Sequence, residues 1–134
     1  MNILCPNCWR ELKDSLSGCP SCDTTVDMYS RDYEHRLIAA LPGCGTERRT
    51  QICLILGLRA KQTSVPALLE LLHDPEIVVR IAALRSLSGI GDRSAITAVE
   101  KLTNSKHEML RSAAQRVLKT LVEKREEPRH RSAS

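Results

Sequence analysis

Residues 65–92, VPALLELLHDPEIVVRIAALRSLSGIGD, decide the fold. Their first third predicts an amphipathic helix because its apolar residues share one helical face: Val65, Leu68, Leu69 and Leu72. Asp74 and Pro75 interrupt that helix and favour the start of a second one, with Asp74 as N-cap and Pro75 in the first turn. Gly89 and Gly91 then turn the chain. The stretch therefore predicts two helices joined by a short turn.

The same pattern recurs along the chain with a period of 31 residues. Arginine stands at positions 49, 80 and 111, and leucine at positions 56, 87 and 118. A period of 20–50 residues is typical of a solenoid. With an opening helix near 31–41 and another near 47–59, we predict six helices in three stacked hairpins. The predicted fold class is all-α, a short α-solenoid.

Caps and buried faces follow from the same pattern. Asp92 is suited to cap the third hairpin, and Ser105 with Glu108 reads as a capping box for the last helix. The expected buried face of the helix after Pro75 consists of Ile77, Val78, Ile81, Leu84 and Leu87. That of the last helix consists of Met109, Leu110, Ala113, Val117, Leu118 and Leu121.

These repeats resemble HEAT repeats of the short, phycobilisome-lyase-like kind. The resemblance rests on Asp74, Val79-Arg80, Ala83-Leu84 and Gly91-Asp92, and it extends more loosely over 34–122. The first repeat departs from it at GLRAK, 57–61, where Gly-Asp is usual. The resemblance implies a helical surface for binding other proteins. Bilin lyases of this class have much longer arrays, so we do not transfer their activity.

Four cysteines, Cys5, Cys8, Cys19 and Cys22, form the spacing C-x2-C-x10-C-x2-C. Two such tight turns supply a tetrahedron of thiolates, the geometry of a structural Zn²⁺ site without an open coordination position. A head of about thirty residues buries too little apolar surface to fold without such an ion. Redox dithiol chemistry is a weaker alternative, because two identical Cys-Pro-x-Cys segments suit one shared ion better than two independent dithiols. An iron–sulfur cluster is also a weaker alternative, because the spacing C-x2-C-x2-C is absent.

The head also resembles short bacterial zinc ribbons of the type CPxCG-x9-CPxCG, over roughly residues 3–26. It departs where those ribbons have glycine, since Trp9 follows Cys8 and Asp23 follows Cys22. Tryptophan tolerates a positive φ poorly, so we expect the first turn to differ. Trp9 is expected to cover the metal site or to dock on the helices.

Composition sets the remaining limits. Of the net charge of +4, residues 1–30 carry −2 and the rest +6, too little to predict nucleic-acid binding from charge alone. Neither a secretory signal nor a run of 18 apolar residues is visible, which predicts a cytoplasmic protein. The predicted divisions are a zinc ribbon at 1–28, HEAT-like repeats at 29–122 and a disordered polar tail at 123–134.

Catalytic candidates are weak, and we predict no catalytic residue and no enzyme. His107 and Glu108 form a single dyad, too few ligands for a diiron site. Cys44 precedes a helix start that could lower the pKa of its thiol, although no general base stands at a fixed spacing from it. Cys53 is expected to be a small buried hydrophobe. The repeated arginines 49, 80 and 111 are expected to bond turn Asp or carbonyl groups of neighbouring repeats.

The leading hypothesis is therefore a protein-interaction adaptor whose ribbon caps the N-terminal end of the stack, near Leu37, Ile38 and Leu41. An open end of the stack could also form a homo-oligomer. The alternative is nucleic-acid binding, although stacking aromatics are scarce. It would use the basic tail and these basic residues: Arg31, Arg36, Arg48, Arg49, Arg59, Lys61, Arg85 and Arg93.

Overall fold

A computed structural model describes residues 3–12, 18–23 and 32–126. A short antiparallel pair of strands, β1 (Ile3–Leu4) and β2 (Glu11–Leu12), comes first, with Ile3 opposite Leu12. Six helices follow in the described part: α1 (Asp32–Ala40), α2 (Thr46–Arg59), α3 (Val65–Leu71), α4 (Ile77–Ile90), α5 (Ile96–Leu102) and α6 (Glu108–Glu126). Within this part, no helix is long and apolar enough to cross a membrane.

The helices form three hairpins, α1–α2, α3–α4 and α5–α6, as predicted. The second helices of the hairpins, α2, α4 and α6, pack side by side, so that α4 lies between the other two. Short 3₁₀ turns at Gln62–Ser64 and Arg93–Ala95 lead into α3 and α5 and are again 31 residues apart. The all-α, short solenoid fold is therefore confirmed.

The core of this stack is aliphatic, as the near absence of aromatic residues requires. Completely buried positions on successive helices include Leu37, Ile52, Leu56, Leu68, Val79, Leu84, Leu87 and Val99. Burying each large aliphatic side chain contributes about 1.5–3 kcal/mol before the entropy cost of ordering the chain. Leu4 and Leu12 of the two strands join the same buried cluster, which thus continues from the helices into the N-terminal head.

Two predicted core residues are wrong. Val78 is 50% exposed and Met109 is 70% exposed, although we expected both to be buried. Val79, which is not in the expected core, is buried, and Leu110 is buried as predicted. α4 contacts α2, α3 and α6, and its buried arc is therefore wide and includes small residues that apolar spacing does not single out, Ala82, Ala83 and Ser86.

The predicted caps are partly wrong as well. α4 begins at Ile77 rather than at Pro75, and the Asp74 carboxylate accepts the Glu76 N–H at 2.9 Å. The Ser105–Glu108 capping box does not form, because the Ser105 hydroxyl accepts the His107 N–H at 3.2 Å and α6 begins only at Glu108.

Asp92 caps the 3₁₀ turn Arg93–Ala95 that leads into the next helix, rather than α5 itself, which begins at Ile96. The Asp92 carboxylate accepts the Ser94 N–H at 2.8 Å, and this hydrogen bond lowers the pKa of Asp92. The three caps together show one arrangement, in which an oxygen of the turn bonds the N–H two residues further along.

The repeated arginines bond turn Asp and carbonyl groups, as expected, but only Arg49 reaches a neighbouring repeat, whereas Arg80 and Arg111 bond the turn of their own hairpin. Arg49 forms a bidentate ion pair with Asp74 of the next hairpin, at 2.8 and 3.1 Å, and donates to the Cys44 carbonyl at 2.6 Å. Arg80 donates to the Asp74 carbonyl, and Arg111 donates to the Ser105 carbonyl at 3.2 Å. These guanidinium groups connect each helix with the turn before it.

The chain end is described only in part. α6 continues to Glu126, four residues into the segment that we predict as a polar tail. The rest of that tail, 127–134, lies outside the described residues.

Candidate metal centre

The two Cys-Pro-x-Cys segments fold into matching turns. The Trp9 N–H donates to the Cys5 carbonyl at 2.9 Å, and the Asp23 N–H donates to the Cys19 carbonyl at 3.0 Å. Trp9 has φ 68° and Asp23 has φ 58°, so both are left-handed. Our expectation that the first turn differs at Trp9 is wrong. Trp9 adopts the glycine-like conformation at a cost of about 1–2 kcal/mol.

These turns bring the four predicted sulfur atoms together. The Sγ atoms of Cys5 and Cys22 are 3.7 Å apart, those of Cys8 and Cys19 are 3.5 Å apart, and all four lie within 4.8 Å of one another. A tetrahedral site with metal–sulfur bonds of about 2.3 Å has sulfur–sulfur edges of about 3.8 Å. These distances are too long for disulfides and fit one metal ion.

The charge balance of the cluster also favours a cation. The Arg10 N–H lowers the pKa of the Cys8 thiol, but desolvation and the three neighbouring thiols outweigh it and raise that pKa to about 12. Four thiols at this spacing do not all ionise without a positive charge between them, which a divalent ion supplies. Among the described residues this is the one group of Cys, His, Asp or Glu side chains clustered closely enough to hold a metal.

Tyr33 of α1 connects the head with the helices. Its hydroxyl accepts the Leu4 N–H at 3.2 Å and donates to the Leu4 carbonyl at 3.0 Å. Leu4 immediately precedes the candidate ligand Cys5. The Tyr33 ring is buried, and the Arg59 guanidinium lies 4.7 Å from its centroid while it also pairs with the buried Glu34. The position of Cys5 is thus tied to the first hairpin.

Arg48 of α2 provides a second connection. Its guanidinium lies 5.1 Å from the centre of the Trp9 ring, a cation–π distance, and it donates to the Trp9 carbonyl at 3.4 Å. Arg48 also donates to Gln51 at 3.1 Å, which fixes its side chain along α2. Trp9 follows the candidate ligand Cys8, so Trp9 docks on the helical body, one of the two arrangements that we expected.

The described contacts of the head include residues that we did not predict. We expected packing around Leu37, Ile38 and Leu41, but the described connections use Tyr33 and Arg48, and Leu4 faces Gln51, Leu54 and Ile55 of α2 across a shallow groove. One feature of the sequence indicates these contacts between the head and the helices. Aromatic residues are scarce, so Trp9 and Tyr33 stand out as candidates for such contacts.

The other candidate residues do not form a reactive site. The Cys44 thiol donates to the Ala40 carbonyl at 3.1 Å, and burial raises its pKa although Arg48 and Arg49 oppose the shift. The expected lowering of that pKa is therefore wrong. Cys53 is completely buried, as predicted, and burial raises its pKa to about 12. His107 and Glu108 are both exposed.

Three helical hairpins in series, with their second helices side by side, define the class of α-solenoid repeat proteins. The family model for HEAT repeats matches residues 34–119, nearly two thirds of the chain. The protein therefore belongs to the HEAT-repeat family. A comparison with curated proteins gives no significant match.

Proposed function

We propose that the protein is a non-enzymatic interaction module in which the HEAT repeats present a binding surface to another protein. HEAT repeats commonly mediate such interactions. The observation that carries the proposal is the position of the large exposed hydrophobic residues of the described part. They are Leu54, Leu58, Val78 and Met109.

These four residues lie on the second helices only. Leu54 and Leu58 are one turn apart on α2, while Val78 and Met109 occupy the same repeat position on α4 and α6, 31 residues apart. We call this surface the second-helix face. The first helices expose mainly polar side chains instead: His35, Glu70, Thr97, Glu100 and Lys101. An apolar face repeated over neighbouring elements is typical of a docking surface.

Affinity capture from the source cell, with cross-linking, tests this function. We expect Leu58→Asp with Met109→Asp to reduce capture of a cross-linked partner about tenfold or more, since exposed anchors dominate interfaces. His35→Asp with Thr97→Asp is the matched control, on exposed positions of the first helices. Equal capture by both variants, or loss only in the control, would refute a role for the second-helix face.

We further propose that residues 1–28 form a zinc ribbon whose Zn²⁺ is held by Cys5, Cys8, Cys19 and Cys22. Four thiolates favour Zn²⁺ among the abundant divalent ions, and a closed tetrahedron stabilises structure without performing chemistry. In this role the ribbon caps the open end of the stack at 29–122. The phycobilisome-lyase-like subclass, the bacterial type of ribbon and a cytoplasmic location are further parts of this proposal.

The nucleic-acid alternative gains no support from the described contacts. Several arginines that it requires are already bonded inside the protein: Arg48 to Trp9 and Gln51, Arg49 to Asp74, and Arg59 to Glu34. A guanidinium group fixed to a carboxylate or carbonyl has fewer donors left for phosphate. Protein binding is therefore the function that we propose.

A further inference from the structure

A groove of about 280 Å³ runs between α4 and α6 on the second-helix face. Ile81 of α4 and Met109 and Ala113 of α6 give it an apolar lining. Ile81 and Ala113 are half-buried, and Met109 stands out into solvent. An apolar cleft beside an exposed methionine suits the insertion of aliphatic or aromatic side chains from another chain.

Two arginines line the same groove. Arg85 and Arg116 are equivalent residues of successive repeats, 31 positions apart, and both are exposed. Within the described part of the chain neither guanidinium group forms an ion pair or a hydrogen bond, unlike those of Arg49, Arg59 and Arg80, which all have acidic or carbonyl partners. Two guanidinium groups at one groove without an internal counter-charge favour an anionic ligand.

One acidic residue, Glu108, also lines the groove, but it lies at the opposite end. Glu108 begins α6, and Arg116 follows eight residues later, about 12 Å along the helix axis. The groove is therefore polarised: acidic at the start of α6, apolar in the middle and basic toward Arg85 and Arg116. A ligand with one acidic end and apolar side chains matches this order.

We propose that the groove between α4 and α6 binds an acidic peptide segment of a partner protein, whose apolar side chains contact Ile81 and Met109 while its Asp or Glu side chains pair with Arg85 and Arg116. This proposal rests on the proposed interaction function and specifies its partner. The chain's own last residues, EPRHRSAS at 127–134, do not complement the groove, because they carry two arginines against one glutamate.

The test uses a display library of random 12-residue peptides selected against the full-length, metal-loaded protein. We expect enriched peptides with Asp or Glu next to apolar residues. A synthetic peptide from this set is expected to bind at least about tenfold more weakly to Arg85→Glu with Arg116→Glu, and its affinity for the unaltered protein should fall as salt rises. Arg93→Glu with Lys101→Glu, two exposed changes near α5, is the control and should change affinity less than about twofold.

Three results would overturn the groove assignment: no enriched peptide, enriched peptides without acidic residues, or binding that ignores the Arg85 and Arg116 reversals. Peptides that depend on Leu54 and Leu58 instead would leave the interaction function standing and refute this site alone. Self-association abolished by the same reversals would assign the groove to a second copy. Because both arginines are exposed, we expect the variants to keep the unfolding temperature of the unaltered protein. An unchanged temperature then shows that a weaker affinity reflects lost contacts with the peptide and not unfolding.

Discussion

At the scale of single residues, three non-glycine positions among residues 3–12, 18–23 and 32–126 adopt left-handed backbone, and they do so for different reasons. Trp9 and Asp23 close the two cysteine turns, and the contact of Trp9 with Arg48 offsets its cost. Ala60 ends α2 with φ 52°, where the next repeat ends α4 with Gly91 at φ 75°. Ala60 is exposed, and its methyl group has no packing role that compensates the strain.

We therefore expect Ala60→Gly to stabilise the protein, by up to about 1 kcal/mol, because glycine removes the clash of Cβ with the following carbonyl. The gain is smaller than the clash itself, since glycine also has more freedom in the unfolded chain. The midpoint of urea unfolding measures it. Gly91→Ala is the reciprocal change and should lower the midpoint, whereas a lower midpoint for Ala60→Gly would contradict this account of the α2 terminus.

At the scale of elements, the packing of α2 on α4 depends on one glycine. A Cβ added at Gly57 would lie 2.7 Å from the Ser86 Cα, closer than two carbon atoms can approach. The Ser86 hydroxyl also donates to the carbonyls of Cys53 and Ala82, which fixes the crossing of the two helices at this point.

We expect Gly57→Ala to destabilise the protein by about 1–3 kcal/mol through overpacking, although alanine is the better helix former. Gly43→Ala is the control, because a Cβ at Gly43 has no neighbour within 4 Å. Thermal unfolding followed by circular dichroism compares the two. A Gly57→Ala protein as stable as the control would show that α2 and α4 separate easily.

The helices also show which features of the fold the sequence predicts and which it does not. Helix positions, hairpin count and the arginine contacts followed from the 31-residue period, because each repeat places the same residues in the same surroundings. Apolar spacing places Val78 and Met109 in the core because spacing alone does not show on which sides of α4 and α6 the neighbouring helices lie. Both residues belong instead to the second-helix face that carries the proposed function.

The candidate metal site was predictable from local cysteine spacing rather than from the repeat period. The spacing of Cys5, Cys8, Cys19 and Cys22 is local, and the four sulfur atoms do come together. The partners of the head were not predictable, because Tyr33 and Arg48 are separated from Leu4 and Trp9 by 29 and 39 residues. No periodic pattern relates a ribbon residue to a helix residue.

At the scale of the whole molecule, the head and the stack share one buried cluster and two specific connections. Leu4 and Trp9, each next to a candidate ligand, bind Tyr33 and Arg48 on the first hairpin. A metal ion bound by the four cysteines would therefore also hold Leu4 and Trp9 against the first hairpin. Folding of the head and stability of the helices are expected to be coupled.

Thermal unfolding of the helices with and without bound metal tests this coupling most directly. The full-length protein is loaded with Zn²⁺, then stripped with a chelator until its measured metal content is zero, and helix loss is followed by circular dichroism. We predict that metal removal lowers the unfolding temperature by about 4 °C or more, because about 1 kcal/mol shifts it by about 4–8 °C in a domain of 60–100 residues and by about 2–4 °C in one of 150–250 residues. An unchanged unfolding temperature after complete metal removal would contradict the account, since the head would then be an independent unit attached to the HEAT repeats.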